Sequence, residues 1–168
     1  GALDWLPNQE GLNWFLFNVF DLLVAELPEL SFHVAGRNAP AQYVKKLNHP
    51  NISYHGEVED AISFMQSYRV MVAPLLTGSG IRIKILEGMA LGRPVVTTSA
   101  GIEGIPVNNH PYVSVSDDPK VFSSHVVKLI KATNDQDPGA AQARQFISKH
   151  FDTFELSSRL SQFYKTEE

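Results

Sequence analysis

Residues 78–90 read GSGIRIKILEGMA, a glycine-rich turn that opens directly into a helical pattern. Strand-like apolar runs flank this stretch at 70–76 and 94–98. Glycines let a backbone approach a ligand closely, and the first N–H groups of a helix lack intrahelical partners and favour negative charge. The stretch therefore predicts an anion site between two strands. Glu87 lies two turns into the helix, where a carboxylate suits the hydroxyls of a polyol such as ribose better than a phosphate.

Strands and helices alternate along the rest of the chain. The predicted strands cover 30–36, 51–56, 70–75, 94–98 and 112–115, and the predicted helices cover 12–27, 41–47, 59–68, 81–91, 118–130, 137–149 and 153–165. This alternation predicts an α/β domain with a Rossmann-like parallel sheet and helices on both faces. Ligands of such sheets bind beyond the carboxyl ends of the strands. Gly36, Gly56 and Gly78 follow three of the strands and fall on that edge.

Composition narrows the classes of function. The 168 residues fit a single domain, and the net charge of −4 gives no reason to expect nucleic acid or a membrane surface as a partner. The chain has no cysteine, which excludes disulfides and thiolate metal sites and is typical of a cytoplasmic protein. The spacing of His, Asp and Glu resembles no metal site. The apolar stretch at 12–27 carries polar interruptions and is too short to span a bilayer.

The first predicted element is a helix, although a doubly wound domain normally begins with a strand. We therefore expect Gly1 to lie at the end of a strand that belongs mostly to upstream sequence. A complete, well-paired sheet without such a strand would contradict this expectation.

Two common nucleotide motifs do not match the glycine turn. A dinucleotide fingerprint requires a glycine where Ile83 stands, and a P-loop requires Lys and Ser or Thr after Gly80, where Ile81 and Arg82 stand. Neither a Rossmann dehydrogenase nor a P-loop kinase is supported.

The block GSGIRIKILEGMALGRPVV at 78–96 resembles the donor-site signature of the group 1 (family 4) retaining glycosyltransferases. The segments TTSAGIEGI at 97–105, GALDWLPNQEG at 1–11 and VAGRN at 34–38 are similar to that family as well. The resemblance covers most of the chain. It implies that residues 1–168 form the C-terminal, nucleotide-sugar-binding half of a GT-B fold, with an N-terminal acceptor domain that is absent here.

The resemblance assigns roles to the glycine turn and its helix. Glu87 matches the second acid of the Glu-x7-Glu motif of the family, the acid that holds the donor ribose. The first acid is replaced by Ser79, so no catalytic carboxylate is assigned. The backbone N–H groups of Gly78, Ser79, Gly80 and Ile81 are expected to face the sugar and the pyrophosphate.

The sequence offers two candidates for the cation that neutralises the diphosphate. Arg82 and Lys84 are two positions apart on a helix and cannot share a face, and Arg82 is favoured because it is nearer the turn. Members of the family commonly supply an Arg and a Lys from the loop after the first strand, but residues 3–8 contain neither. Arg37 is the second candidate.

The segment 55–58, His-Gly-Glu-Val, corresponds to the part of the family that lines the nucleobase pocket. Val58 would read the base edge through its backbone, Gly56 would permit the approach, and His55 would flank the base.

The resemblance implies a metal-independent enzyme, without a cofactor, that transfers a sugar from a nucleoside diphosphate sugar to an acceptor hydroxyl with retention, in polysaccharide or glycoconjugate assembly. The fragment alone is expected to bind nucleotide with little turnover. Two alternatives remain open: one half of a GT-B sugar-nucleotide epimerase, and a non-catalytic nucleotide-sugar-binding module.

Overall fold

A computed structural model describes residues 1–78, 80–107, 112–132 and 138–151. The helices are α1 (Leu6–Asn18), α2 (Phe20–Glu26), α3 (Ala41–Val44), α4 (Ala61–Gln66), α5 (Ile83–Ala90), α6 (Ser99–Ile102), α7 (Pro119–Ala132) and α8 (Pro138–Phe151), and a 3₁₀ turn covers Lys45–Leu47. The strands are β1 (Phe32–Val34), β2 (Ile52–Tyr54), β3 (Met71–Ala73), β4 (Val95–Thr97) and β5 (Val113–Val115).

Every strand pair is parallel, as predicted. β1 pairs with β2, and β4 lies between β3 and β5. The pairs form two separate sheets, one of two strands and one of three, because no backbone pairing joins β1 to β3 among the described residues. The expectation of one continuous sheet therefore holds only within each group of strands.

Helices cover both faces of the three-stranded sheet. Val96 of β4 packs with Phe15, Phe20 and Phe122 from α1, α2 and α7. Its neighbour Val95 points the other way and packs with residues of α5 and α8. This alternation is what a parallel strand buried on both faces requires. The predicted α/β class, parallel strands flanked by helices, is confirmed.

Two helices differ from the prediction. The predicted helix at 12–27 begins at Leu6 and is interrupted at Val19, which ends α1 and precedes α2. Helix α6 was not predicted; it begins after Thr98, whose hydroxyl accepts a hydrogen bond from the Gly101 N–H at 3.1 Å. The predicted helix at 153–165 lies outside the described residues.

Side-chain caps are present at the start of two other helices. Asp60 accepts hydrogen bonds from the N–H groups of Ile62 and Ser63, at 2.9 and 3.1 Å, at the start of α4. Asp118 accepts from the N–H of Val121 at 2.9 Å at the start of α7. These caps satisfy the unpaired donors of the first helical turns.

Candidate functional site

The carboxyl ends of β1 and β2 lie side by side and carry the glycines predicted there. The N–H of Gly36 donates to the carbonyl of Gly56 at 2.8 Å. A Cβ at Gly36 would lie 2.5 Å from the Gly1 carbonyl oxygen and 2.6 Å from the Leu3 side chain, so only glycine fits. The N-terminal segment thus passes directly over the end of β1, and Ala2 forms a parallel bridge to Arg37.

The glycine turn precedes α5 and needs its glycines for conformation. Gly78 and Gly80 have φ angles of 114° and 85°, which other residues rarely adopt. Ser79 lies outside the described residues. The turn is tied to α1 by the Thr77 hydroxyl, which donates to the Glu10 carboxylate at 2.9 Å.

Arg82 lies beneath this turn. Its side chain is buried, with a residue exposure of 6%, and its guanidinium donates to the Thr77 carbonyl at 3.5 Å. A Cβ added at Gly78 would approach that guanidinium to 2.8 Å. These contacts indicate that Arg82 stabilises the turn. Its contact with a ligand stays a prediction.

Helix α5 brings a cation and an acid to one side. Lys84 and Glu87 are three positions apart, which places them on the same helix face, and both line a large cavity. The Lys84 ammonium donates to the Asn8 side-chain oxygen at 2.7 Å, and the Asn8 amide donates to the Ala2 carbonyl at 2.8 Å. Asn8 therefore links the helix to the N-terminal segment.

The position of α5 depends on Gly88. A Cβ there would lie 2.8 Å from the Met71 sulfur and 3.1 Å from a Val95 methyl group. The absence of a side chain at Gly88 therefore lets the helix lie close to β3 and β4.

The electrostatics of Lys84 are unusual for a lysine. Burial lowers its pKa from 10.5, the positive charge of Arg82 lowers it further, and Glu87 opposes the shift. An anion bound beside the ammonium would relieve this penalty, since an opposite charge favours the charged form.

The cavity has a volume of about 790 Å³ and runs between β1 and β3, from residues that precede both strands to Gly36, Arg37, Pro74 and Leu75 at their carboxyl ends. Of the predicted site residues, it brings together Arg37, Val58 and Glu87. The remaining described predictions are absent from its lining, namely His55, Gly56, Gly78, Gly80, Ile81 and Arg82. The cavity is therefore lined by residues that were predicted to contact the base and the ribose. The described residues of the glycine turn lie outside its lining.

His55 belongs to a small aromatic group on the surface. Its Nε2 lies 2.9 Å from Nδ1 of His33, and the ring of His33 stacks on Tyr68 with centroids 4.2 Å apart. Partial burial and the neighbouring His55 lower the pKa of His33. The predicted role of His55 beside a base stays a prediction.

The sequence gives no sign of the contact between Lys84 and Asn8. Lys84 and Glu87 have the spacing of one helix face, and whether Arg82 or Lys84 contacts a ligand stays a prediction. Asn8 carried no signal by itself, because its contact with Lys84 joins segments that are far apart in the chain.

Among the described residues there is no group of three or more His, Asp or Glu side chains placed to hold a metal ion. The described helices also include none that is both long enough and apolar enough to cross a bilayer.

Comparisons with known proteins agree with this architecture. Residues 1–132 match the family described as glycosyl transferases, group 1. The chain is 26% identical over 165 residues to an uncharacterized 44.6 kDa protein in the cps region of Klebsiella pneumoniae, a match that covers 93% of the chain and 42% of that relative.

Solved structures resemble the fold at low sequence identity. TarM of S. aureus, in a complex that includes UDP, superposes with a TM-score of 0.76 at 16% identity over 94% of the chain and 33% of its own length. HepE of Anabaena with UDP gives 0.71 at 16% identity, over 95% of the chain and 52% of its own. WaaG, a glycosyltransferase of lipopolysaccharide biosynthesis, gives 0.64 at 15% identity, over 97% of the chain and 45% of its own.

The chain therefore spans about half or less of the length of these proteins. The family match extends over most of the chain and includes both the glycine turn and α5. Together with the parallel α/β fold shared with GT-B glycosyltransferases, this match establishes that the chain belongs to the group 1 glycosyltransferase family.

Proposed function

We propose that this chain is the donor-binding domain of a retaining glycosyltransferase that transfers a sugar from a nucleoside diphosphate sugar to an acceptor hydroxyl. In this proposal residues 1–168 form the C-terminal half of the enzyme, and an N-terminal domain of the same protein supplies the acceptor site. The observation that carries the proposal is the pair Lys84 and Glu87, which share one face of α5 on a cavity at the carboxyl ends of the strands.

The two side chains suit the two parts of a nucleoside diphosphate. Glu87 accepts hydrogen bonds from the ribose hydroxyls, and the Lys84 ammonium neutralises the diphosphate. Burial and the positive charge of Arg82 lower the pKa of Lys84. The ammonium is therefore poorly solvated in the free protein, and an anion bound beside it favours its charged form. Arg37, at the end of β1, lines the same cavity and serves as the second cation.

The base binds at the far side of the cavity, where Val58 lies in the loop after β2. The backbone N–H and C=O of Val58 read the base edge. The glycine turn contributes N–H groups from Gly78 to Ile81 toward the sugar end of the donor. The glycine turn lies beside the cavity, so the sugar end of the donor must extend out of the cavity to contact it.

Catalysis then rests on positioning and on stabilisation of the departing diphosphate. Lys84, Arg37 and the N-terminus of α5 provide positive charge where negative charge develops. We propose that these groups act without a metal ion or a further cofactor. Since Ser79 replaces the acid of the family motif, no carboxylate of this chain is assigned to the chemical step.

The relatives indicate which nucleotide to test first. TarM and HepE were each solved with UDP, which makes UDP the first nucleotide to test. The Klebsiella relative comes from a cps region, which supports a place in cytoplasmic polysaccharide assembly.

The test is calorimetric titration of the chain with UDP, GDP and ADP, with and without EDTA. Glu87→Gln and Lys84→Met should each weaken binding of the preferred nucleotide by about 10-fold to 100-fold, because each removes a hydrogen bond to a charged group worth about 1.5–3 kcal/mol. Glu26→Gln and Lys131→Met are matched controls, since these residues form an exposed ion pair between α2 and α7 at 2.9 Å.

Equal affinity of Glu87→Gln and the parent chain would contradict the assigned ribose contact, and loss of binding in EDTA would contradict metal independence. Product analysis with the full-length protein separates the two alternatives: an epimerase converts its sugar nucleotide without an acceptor, whereas a non-catalytic module converts nothing.

A further inference from the structure

The first two turns of α1 lie against the backbone that leaves β3. A Cβ at Gly11 would collide with the carbonyl oxygen of Pro74, the residue that follows β3, so only glycine allows this approach. The Gln9 side-chain amide donates to the Leu3 carbonyl at 2.6 Å. These two contacts fix the position of α1 beside the segment that leads from β3 to the glycine turn.

Glu10 lies between Gln9 and Gly11 and contacts that segment. Its carboxylate accepts a hydrogen bond from the Thr77 hydroxyl at 2.9 Å, and Thr77 directly precedes Gly78. The Thr77 carbonyl accepts a hydrogen bond from the buried Arg82 guanidinium at 3.5 Å. Because Thr77 is held through its hydroxyl and its carbonyl, the Glu10 carboxylate has a defined position beside the first glycine of the turn.

The Glu10 carboxylate keeps unused hydrogen-bond capacity. An ionised carboxylate has two oxygens and accepts about four hydrogen bonds. Among the residues that the structure describes, Thr77 is the one donor to this side chain, and no ion pair includes Glu10. Glu10 is also half-buried. A half-buried carboxylate with open acceptor positions and no counter-charge is suited to ligand groups that donate hydrogen bonds.

The location of Glu10 indicates which ligand groups these are. Lys84 and Arg37 line the cavity, whereas Glu10 is absent from its lining. A carboxylate repels a diphosphate, so an acid is compatible with the site only outside the part that holds the phosphates. Within the described part of the chain, Glu10 belongs to no group of three or more His, Asp or Glu side chains that could hold a metal ion. Neutral hydroxyl groups are the ligand chemistry that fits this position.

We propose that Glu10 binds hydroxyl groups of the transferred sugar, with Thr77 holding its carboxylate beside the glycine turn. The inference rests on the proposed function, in which the diphosphate lies at Lys84 and the sugar extends toward the turn. The turn offers backbone N–H groups, which donate to sugar oxygens, and Glu10 accepts from sugar hydroxyls. Together they use both the donor and the acceptor capacity of a hydroxyl group.

This assignment makes Glu10 a residue for sugar specificity. A site that hydrogen-bonds a hydroxyl disfavours an analogue that lacks it, because the polar group of the protein is then left without its partner. A nucleoside diphosphate without the transferred sugar makes no contact with Glu10. A change at Glu10 should therefore separate the affinity for the sugar nucleotide from the affinity for the diphosphate alone.

The test compares each diphosphate with its glucose conjugate by calorimetric titration of the chain: UDP with UDP-glucose, GDP with GDP-glucose and ADP with ADP-glucose. Glu10→Ala should weaken binding of the preferred conjugate by at least about tenfold, since a hydrogen bond to a charged group is lost, and should change binding of the diphosphate by less than about twofold. Glu10→Gln still accepts from Thr77 and should weaken conjugate binding by an intermediate factor. Glu26→Ala is the matched control for the loss of a carboxylate.

Thr77→Val separates a sugar contact from support of the turn, because it removes the hydrogen bond and keeps the carboxylate. It should weaken conjugate binding less than Glu10→Ala does. Equal losses in these two variants, or equal weakening of diphosphate and conjugate in Glu10→Ala, would mean that Glu10 only supports the turn and would overturn the inference. Unchanged conjugate binding in Glu10→Ala would overturn it as well, and so would a parent chain that binds a diphosphate but not its glucose conjugate.

These outcomes leave the binding of the diphosphate in place and so count against the inference alone. A parent chain that binds no diphosphate and no conjugate would contradict the proposed function, and the inference would fall with it.

Discussion

Strand β1 of the two-stranded sheet and β4, the central strand of the three-stranded sheet, differ in how completely the fold surrounds them. β4 has a paired strand on each side, and all three of its residues are buried. Among the described residues β1 pairs with β2 alone, and only Val34 of its three residues is buried. Each strand has two apolar residues and one polar residue, so composition does not explain the difference.

The difference shows that burial of a parallel strand depends on neighbours on both edges as well as on helices above and below. β4 has all of these neighbours, and its side-chain hydroxyls add cross-strand bonds. The edge of β1 opposite β2 has no paired strand among the described residues. The candidate site joins the two regions, since Arg37 follows β1 and Lys84 and Glu87 lie on α5.

The largest expected effect compares equivalent valines. Val96 is fully buried in β4, whereas Val34 in β1 retains 8% exposure. Val96→Ala should cost about 2–3 kcal/mol, from two methyl groups at about 0.8 kcal/mol each together with a cavity. Val34→Ala should cost about half as much, because its surroundings are free to collapse. Denaturant unfolding of both variants measures the two values, and equal losses would remove the proposed contrast.

The next effect concerns a side-chain hydrogen bond at the centre of the three-stranded sheet. The buried Thr97 hydroxyl donates to the Ala73 carbonyl at 2.7 Å, joining β4 to β3. Thr97→Val keeps the shape but removes the donor, and should lower the unfolding free energy by about 1–2 kcal/mol. Thr97→Ser, which keeps the hydroxyl, is the control. A Val variant as stable as the parent would mean that the bond adds nothing.

A smaller effect is expected at the boundary between the regions, where Lys84 reaches from α5 to Asn8. Its folded pKa lies below 10.5 because of burial and Arg82, so the unfolded chain binds more protons between the two values. Stability should therefore rise as pH increases toward 10.5, and Lys84→Met should remove this rise. Unfolding measured at about pH 8 and about pH 10 checks it, with Lys131→Met as the exposed control. A parallel rise in the Lys84→Met variant would assign the dependence to other groups.

The smallest effect belongs to His33 in β1. Its folded pKa lies below 6.5 through partial burial and the charge of His55. The unfolded chain therefore binds more protons just below pH 6.5, and stability should fall slightly as pH drops through that window to the folded pKa. An NMR titration of the imidazole gives the pKa directly, and His33→Gln should flatten the dependence. A His33 pKa above 6.5 would reverse the sign.

The positions of the elements were largely predictable from sequence, because apolar spacing and caps are local properties. Asp60 and Asp118, for example, cap their helices through N–H groups two or three positions further along the chain. The break at Val19 was not predictable, since the apolar spacing continues through it. Helix α6 was missed because its four residues are too few to show a period.

The site residues stay predictions, and those that the sequence indicates are local. Glu87 and the glycine turn are local motifs, and the family resemblance indicates both. The contact of Lys84 with Asn8 joins segments that are far apart in the chain. Such a contact follows from packing, which the sequence pattern does not encode.

The parallel pairing pattern also bears on how the chain reaches its folded state. β1 pairs with the next strand, β2, and β3, β4 and β5 pair in the same consecutive order. Each ladder therefore closes over a single crossover, which keeps the loop entropy of each step modest for a parallel sheet. The two sheets share the cluster around Phe15, Phe20 and Phe122, and we expect β4, with the more completely buried centre, to be among the last segments to open in the native state.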